Sequence, residues 1–398
     1  MITTGVTGNA WRASVTPWGA IHPWDEGEGP AERPLDWFVA ADDRWHVPAQ
    51  EPTVRQERID GTAVVETRVR VPTGDVVQRI ASVPDGPGYT VVEVENESTL
   101  PVAVAFDRRD VRTERPISEL PAVPPAELGL ELPPEAFVVP IGHRAVARVA
   151  IAHDGSGAGS LPPLPTAVQV ARGWTTLTDR ASRLVLPGGE TGEGLALEVT
   201  AQRCELALGS MAHAVDDPVG FAIGLGELVR MGEQASEWLP ELAHAVELMS
   251  TRPGWEVDAA LDATARVLAV AGERRAARDL TRILARREAR GERPTVRPDG
   301  VLGIAWVEQR LADRGALLPE GFPPAWLGAN FEVYGVPVGP SSTVSYAVRW
   351  HGERPAVLWE VTGAPVELTA PALDPDWRVS ASSGEALWPP PPAPASFS

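Results

Sequence analysis

The sequence Asp-Gly-Ser-Gly-Ala-Gly-Ser-Leu-Pro-Pro-Leu-Pro, residues 154–165, separates two regions of different periodicity. Its first half is rich in glycine and its second half in proline, a composition typical of a flexible linker followed by a stiff one. Pro162 and Pro163 stand where a phosphate-binding helix would begin, so the glycines favour a linker over a nucleotide-binding loop. We therefore predict a domain boundary between residues 160 and 161.

The region before this linker, residues 1–160, has the pattern of β-strands. From Val65 to Val71 every second residue is Val or Thr and the residues between them are charged, which is the period of a half-buried strand. A Pro-Thr-Gly-Asp turn follows at 72–75, and further short runs of this kind are separated by turn residues. The sequence thus predicts an N-terminal antiparallel β-sandwich.

The region after the linker, residues 161–322, has a period of about 3.6, as in Val170, Trp174 and Leu177. Its apolar stripes predict about seven helices, arranged either as a partial α/α toroid or as a bundle. The only cysteine, Cys204, lies in a run that is apolar nearly all round. We expect its side chain to be buried among these helices.

Beyond Pro323 and Pro324 the period returns to two, which predicts a small C-terminal β-sheet domain over residues 323–388. The proline-rich residues 389–398 are predicted to be a disordered tail. The expected fold class is therefore a multidomain α and β protein with the order sandwich, helical domain, small sheet.

The charge of the chain excludes several classes of function. The formal net charge is −19, and all 35 basic residues are Arg because the sequence contains no Lys. No basic stretch is long enough to follow a phosphate backbone, so nucleic acid is not an expected partner. Without Lys, the chain lacks the residue that a Walker A loop, a protein kinase or a pyridoxal phosphate enzyme requires.

The seven His and the single Cys show no metal-binding spacing, so we predict neither a local metal site nor a cofactor. One cysteine also excludes an internal disulfide. No run approaches the ~20 apolar residues of a membrane span, and the N-terminus has no signal-peptide pattern. We expect a cytoplasmic protein without a membrane partner, and the oligomeric state stays open.

Residues 91–101 read Val-Val-Glu-Val-Glu-Asn-Glu-Ser-Thr-Leu-Pro. This run resembles a strand, Asn, small polar residues, Pro and strand sequence in the N-terminal sandwiches of the six-hairpin glycosidases, the glucoamylase and disaccharide phosphorylase type. The predicted order of domains is also similar to theirs. The resemblance implies a saccharide ligand, with an acid and a base supplied by carboxylates on toroid loops and no cofactor. The chain departs from the family in offering about seven helices where a closed toroid has twelve.

Two clusters of aromatic and charged residues are candidates for a sugar-binding surface. The first is the 42–46 group, which follows Trp37, and the second begins at Trp255. An indole offers a flat apolar face to the CH groups of a sugar, and charged neighbours can bond its hydroxyls. The alternative for a single Trp is core packing. The predicted ligand-binding residues are Trp37, Asp42, Asp43, Arg44, Trp45, His46 and Trp255.

Glu256 and Asp258 are the predicted catalytic residues, because glycoside hydrolysis needs two carboxyl groups that flank one bond. They follow Arg-Pro-Gly at 252–254, where a loop is expected to lead into a helix. The alternative is helix capping, since the helix dipole favours acidic residues in a first turn. We expect a glycoside-hydrolase-like protein that binds or processes a soluble saccharide. The alternative function is a noncatalytic carbohydrate-binding or protein-interaction scaffold.

Overall fold

The computed structural model describes residues 1–23, 34–114, 132–133, 135–286 and 291–391. The described chain is mixed α and β, with seven α-helices, several sheets, 30% helix and 33% strand. The α and β class predicted from the sequence is confirmed at this level. Within the described ranges, no helix is both long and apolar enough to cross a bilayer. The chain forms two compact units, Met1–Thr175 and Thr176–Ser398.

The first unit consists mainly of short strands, and helix α1 (Ala167–Thr178) begins at its end. Its strands are β1 (Ile2–Gly5), β2 (Arg12–Val15), β3 (Ile21–Pro23), β4 (Trp37–Ala40), β5 (Trp45–His46), β6 (Arg55–Arg58), β7 (Val65–Val71), β8 (Gly74–Val83), β9 (Tyr89–Asn96), β10 (Val102–Phe106), β11 (Arg112–Thr113), β12 (Phe137–Ile141), β13 (Val146–Ala152) and β14 (Gly159–Ser160).

These strands form a seven-stranded sheet in the order β14-β11-β13-β9-β8-β7-β6, a four-stranded sheet β12-β10-β4-β5 and a three-stranded sheet β1-β2-β3. As the alternation in the sequence predicts, the side chains of Val65 and Val69 lie on the buried face of β7. They share one apolar core with Val39 of β4 and Val104 of β10, so side chains from the larger and smaller sheets meet there.

The predicted linker belongs to the first unit, which moves the division from residue 160 to residue 175. Gly159 and Ser160 form a strand parallel to β11. Leu161 and Leu164 are buried in one apolar cluster with Tyr89. The prolines therefore hold this segment against the sheet, with its two leucines as apolar anchors.

The second unit contains six further helices and nine strands in its described part. The helices are α2 (Leu195–Ala207), α3 (Pro218–Met231), α4 (Leu239–Met249), α5 (Trp255–Val270), α6 (Arg274–Ala285) and α7 (Val301–Leu311). The strands are β15 (Arg183–Val185), β16 (Ala312–Asp313), β17 (Ala316–Leu317), β18 (Phe331–Gly339), β19 (Ser342–His351), β20 (Arg354–Gly363), β21 (Leu368–Ala370), β22 (Asp374–Val379) and β23 (Ser383–Leu387).

Helix α3 is apolar on nearly all sides and packs against α5 at the centre of this unit. Gly226 permits the close approach, because a Cβ at that position would lie 3.0 Å from the Cβ of Ala263. The side chain of Cys204 is fully buried, in agreement with the sequence prediction. The helices of this unit are therefore held together by apolar packing around α3.

The structure shows no division at residue 322, where the sequence suggested a separate C-terminal domain. Strand β15 lies before α2 in the sequence and pairs with β18 of the C-terminal sheet. Phe331 and Val333 of β18 share one core with Leu225 of α3. The helices and the sheet thus bury each other's apolar surface as one body. The predicted disordered tail, 389–398, lies outside the described residues from 392 onward.

Candidate functional site

Helix α5 provides one wall of a cleft in the second unit. Its buried face, which includes Leu261 and Val267, packs into the helical core. Asp262 and Arg266 lie one turn apart on another side of the helix, with Ala265 between them. The small alanine leaves space beside the two charged side chains.

The cleft has a volume of about 370 Å³, within the range of small-molecule sites in proteins. Helices α5, α6 and α7 and the end of β18 form its walls, together with residues 312–314. It is lined by Ala259, Asp262, Ala265, Arg266, Thr281, Leu284, Ala305, Glu308, Gln309, Ala312, Asp313, Arg314, Pro337, Val338, Gly339 and Pro340.

A buried network of charges stands behind one side of this lining. Glu308 of α7 accepts hydrogen bonds from Arg203 Nη2 at 2.8 Å and from Arg230 Nη1, also at 2.8 Å. Ser182 Oγ donates to the same carboxylate at 2.6 Å. Glu227 of α3 accepts from Arg203 Nε at 2.9 Å and is also paired with Arg230. The two guanidinium groups and the two carboxylates therefore satisfy each other.

This pairing fixes the ionisation of the network. Burial alone would raise the pKa of Glu308, but the charges of Arg230 and Arg203 lower it well below its ordinary value. Burial opposes the charge of Arg230, yet Glu227 and Glu308 raise the pKa of that guanidinium. Glu308 is thus a carboxylate, not a carboxylic acid, at neutral pH.

Arg266 differs from the other arginines around the cleft. Its Nε is buried without a hydrogen-bond partner, and it forms no ion pair within the part of the chain that the structure describes. Burial, followed by repulsion from Arg230, lowers the pKa of Arg266. Asp262, one turn away on the same helix, bonds instead to Arg314 Nη2 at 2.8 Å. The charges of Glu227, Glu308 and Asp262 act in the opposite direction, but within the described chain no carboxylate accepts a hydrogen bond from the Nε of Arg266.

The predicted catalytic residues lie near this cleft but do not line it. Asp258 is buried and its Oδ2 accepts a hydrogen bond from the backbone N–H of Gly291 at 2.8 Å. The carboxylate of Glu256 lies directly against the backbone at Gly254, in the first turn of α5. Glu256 and Asp258 both lie in the first turn of α5, where the helix dipole favours a carboxylate, but among the described residues no side-chain hydrogen bond caps the helix at Gly254. Asp258 connects the start of α5 to the backbone of Gly291.

Trp255 is connected to the cleft through a neighbour rather than directly. Its indole is buried, and its Nε1–H donates to Gln309 Oε1 at 2.6 Å. Gln309 in turn lines the cleft. Trp255 thus contacts the cleft through Gln309, and its ligand-binding role stays a prediction.

The 42–46 group forms an ion-pair cluster instead of an open aromatic surface. Arg44 donates to both carboxylate oxygens of Glu51, and it lowers the pKa of that residue. His46 is buried between Glu51 and Asp43, with its ring nitrogens 3.1 Å and 3.0 Å from their oxygens. Trp45 is buried with Ala40 and Ala105, while Asp42 is exposed. The buried ring of Trp45 is therefore not part of the exposed surface at Asp42.

The structure places Trp37, another predicted ligand-binding residue, in the core of the first unit. Its side chain is only 2% exposed, and its Nε1–H donates to the carbonyl oxygen of Trp18 at 2.8 Å. With the ring enclosed and its one polar atom satisfied, no part of it is available to a ligand.

The cleft residues were missed by the sequence analysis for a physical reason. Asp262 and Arg266 are spaced i, i+4, which is usually the sign of a solvated ion pair on a helix surface. A better signal is the isolated charge in an apolar helix, as at Arg203, Glu227 and Glu308. Such residues are buried only if they find partners, so they indicate a polar network inside the helical region.

The chain matches no protein-family model, and no curated protein matches it in sequence. Among the described residues, no three His, Cys, Asp or Glu side chains form a group that could hold a metal ion. The site is therefore interpreted from its own residues.

Proposed function

We propose that this protein binds a small soluble saccharide in the cleft between α5, α6 and α7. The observation that carries this proposal is the lining, which places a hydroxyl, an amide, carboxylates and guanidinium groups around about 370 Å³. Each hydroxyl of a sugar both donates and accepts, so a site with donors and acceptors on several sides suits it. The alanines and prolines of the lining provide apolar contacts for its CH groups.

Binding without hydrolysis fits these side chains better than catalysis does. A general acid has to carry a proton at the working pH, whereas Glu308 is held ionised by Arg203 and Arg230. Asp262 is bonded to Arg314. Glycoside hydrolysis requires one carboxyl group in the protonated state, and Glu308 does not supply it. The noncatalytic alternative raised by the sequence is thus the one we adopt.

The resemblance to six-hairpin glycosidases supports the same class of ligand. On this proposal the first unit corresponds to their β-sandwich, the helices to a shortened toroid and β18 to β23 to their small C-terminal sheet. A glycosidase architecture that has lost its acid and base would retain the ability to bind saccharides. We also propose, from the single cysteine, that the protein acts in the cytoplasm.

A thermal-shift screen tests the proposal. Neutral, carboxylated and phosphorylated monosaccharides and disaccharides are added at millimolar concentration, and a ligand that binds only the native state raises the melting temperature. Ala265→Phe places a ring in the cleft and is expected to abolish the shift. Ala269→Phe, one turn further along α5 at an exposed position, is the matched control and is expected to retain it.

A screen in which no saccharide raises the melting temperature would contradict the proposal. An equal shift in the wild type and in Ala265→Phe would move the saccharide site out of this cleft.

A further inference from the structure

We propose that the saccharide carries a carboxylate or a phosphate group and that Arg266 binds this group. The inference rests on the proposed function and adds the charge of the ligand to it. The two sources share one chemistry, an oxyanion with at least two oxygens that accept hydrogen bonds in a plane.

First, Arg266 has a buried Nε with no hydrogen-bond acceptor, and the charges of Glu227, Glu308 and Asp262 only partly offset its burial. Within the described chain, Arg203 and Arg230 are each paired with two carboxylates, and Arg314 is paired with Asp262. The Nε of Arg266 is equally withdrawn from solvent but has no acceptor. Withdrawing a charge from water is unfavourable unless a partner compensates it, so the free protein lacks the partner that this guanidinium suits.

The second argument is that the carboxylates of the lining are already engaged. Asp262 is neutralised by Arg314, and Glu308 by two guanidinium groups. Asp313 also takes part in a polar interaction. An incoming anion therefore meets two carboxylates that are ion-paired with other arginines, together with one guanidinium whose Nε has no acceptor.

The third argument is the charge of helix α6, which contributes Thr281 and Leu284 to the lining. Five exposed arginines lie on this helix and at its C-terminal end, although the chain as a whole has a net charge of −19. Arg278 is one turn before Thr281, so it lies on the same side of the helix as the cleft. A local positive field in an acidic protein concentrates anions near it and raises their rate of association. The five are Arg274, Arg275, Arg278, Arg282 and Arg286.

A guanidinium is suited to recognise such a group. It has five N–H donors in a planar fork, and it binds a carboxylate or a phosphate through two parallel hydrogen bonds. Thr281 and Gln309 lie in the same lining and can donate to further oxygens of the ligand. In this arrangement Arg266 binds the anionic group of the ligand, and the remaining polar side chains of the lining bind its hydroxyl groups.

Isothermal titration with matched sugars tests the inference. Each common hexose is compared with its uronate and its 6-phosphate, and inorganic phosphate and acetate are titrated alone. We expect one anionic member to bind ~10- to 100-fold more tightly than its neutral hexose, as a charged hydrogen bond implies. Tighter binding of the uronate identifies a carboxylate as the recognised group, and tighter binding of the 6-phosphate identifies a phosphate. Arg266→Gln should remove this preference, and Arg378→Gln, an exposed arginine of β22 outside both the lining and α6, should keep it.

A second measurement guards against a loss of folding. Since the Nε of Arg266 has no hydrogen-bond partner in the free protein and burial disfavours the charge of the group, Arg266→Gln should leave the melting temperature without ligand unchanged or raise it. A fall of this melting temperature would show that Arg266 is a structural residue and would overturn the inference.

The remaining outcomes separate the two proposals. If a neutral hexose binds as tightly as its anions and Arg266→Gln has no effect, the inference is wrong and the saccharide site stands. If inorganic phosphate binds as tightly as a hexose phosphate, the anion site stands and the saccharide function is wrong. If no sugar or anion binds, both proposals are wrong.

Discussion

Glu308→Gln should be among the most destabilising single substitutions in the second unit. The carboxylate accepts four hydrogen bonds, from Ser182 at 2.6 Å, Arg203 at 2.8 Å and Arg230 at 2.8 and 2.9 Å. Gln keeps the shape of the side chain but leaves two buried guanidinium groups sharing the single charge of Glu227. Breaking a buried ion pair on one side costs about 3 to 5 kcal/mol. This is a large part of the roughly 5 to 15 kcal/mol that stabilises a folded protein.

Urea unfolding followed by circular dichroism at the helix band measures this loss, because the second unit contains six of the seven helices. Glu320→Gln is the control. Glu320 forms ion pairs with Arg293 and Arg310, but its side chain is 56% exposed, so its removal should change stability by less than about 1 kcal/mol. A loss below about 1 kcal/mol in Glu308→Gln as well would refute the view that the network is tightly coupled.

The same network has a defined dependence on pH. The pKa of Glu308 is lower in the folded protein than its ordinary value of 4.5, so between these two values the unfolded chain binds more protons. The stabilisation by Glu308 is therefore complete above the pKa that this residue has in the unfolded chain. It is lost as the pH falls through the pKa that it has in the folded protein. Glu308→Gln should reduce the acid sensitivity of the helix transition, and an unchanged pH profile would contradict this assignment.

Three further predictions concern other parts of the chain. Cys204→Ala should cost about 1 kcal/mol from a small cavity, and a thiol reagent should label the native wild type only slowly because Cys204 is fully buried. Asp258→Asn should weaken the contact with Gly291 and lower the melting temperature, whereas unchanged stability together with a lost activity would restore its catalytic assignment. Burial lowers the pKa of His153 from 6.5 to about 4, so the unfolded chain binds the extra proton and stability falls as the pH drops through this interval. The pKa shift limits this loss of unfolding free energy to at most about 3 kcal/mol. Partial exposure of the ring reduces the expected loss to about 1 to 2 kcal/mol. His153→Gln should abolish this loss in urea titrations at pH 7 and pH 4.5, and an equal loss in both proteins would contradict it.

Local structure was largely predictable, because it depends on patterns within a few residues. The alternation from Val65 to Val71 and the turn after it correspond to the β7 and β8 hairpin, in which Val71 pairs with Gly74. The helical period of Val170, Trp174 and Leu177 likewise corresponds to α1, Ala167–Thr178. In both places the local sequence pattern agrees with the final structure, so the pattern was enough to predict the secondary structure.

The assembly of these elements was harder to predict, because it depends on contacts between distant residues. Strand β15 has only three residues, too few for a period, yet its pairing with β18 joins the helices and the C-terminal sheet in one unit. Leu161 and Leu164 looked like part of a linker but are buried against the first sheet. No local pattern distinguishes these apolar anchors from an extended connection.

The candidate site was predicted only in its neighbourhood. Trp255 lies one hydrogen bond from the cleft residue Gln309, but the charges that shape the cleft come from α2, α3, α5 and α7. Whether Arg266 pairs with Asp262 or faces a cavity depends on where Arg314 is placed by the chain after α7. Spacing along one helix does not contain that information.

Hydrogen–deuterium exchange of the full chain, with and without the sugar that gives the largest thermal shift, tests the location of the saccharide site most directly. The account predicts slower exchange in peptides from α5, α6 and α7, which form the cleft, and no change in residues 37–51. Protection of residues 37–51, with unchanged exchange in the three helices, would contradict it and return the site to the aromatic and charged cluster around Trp45.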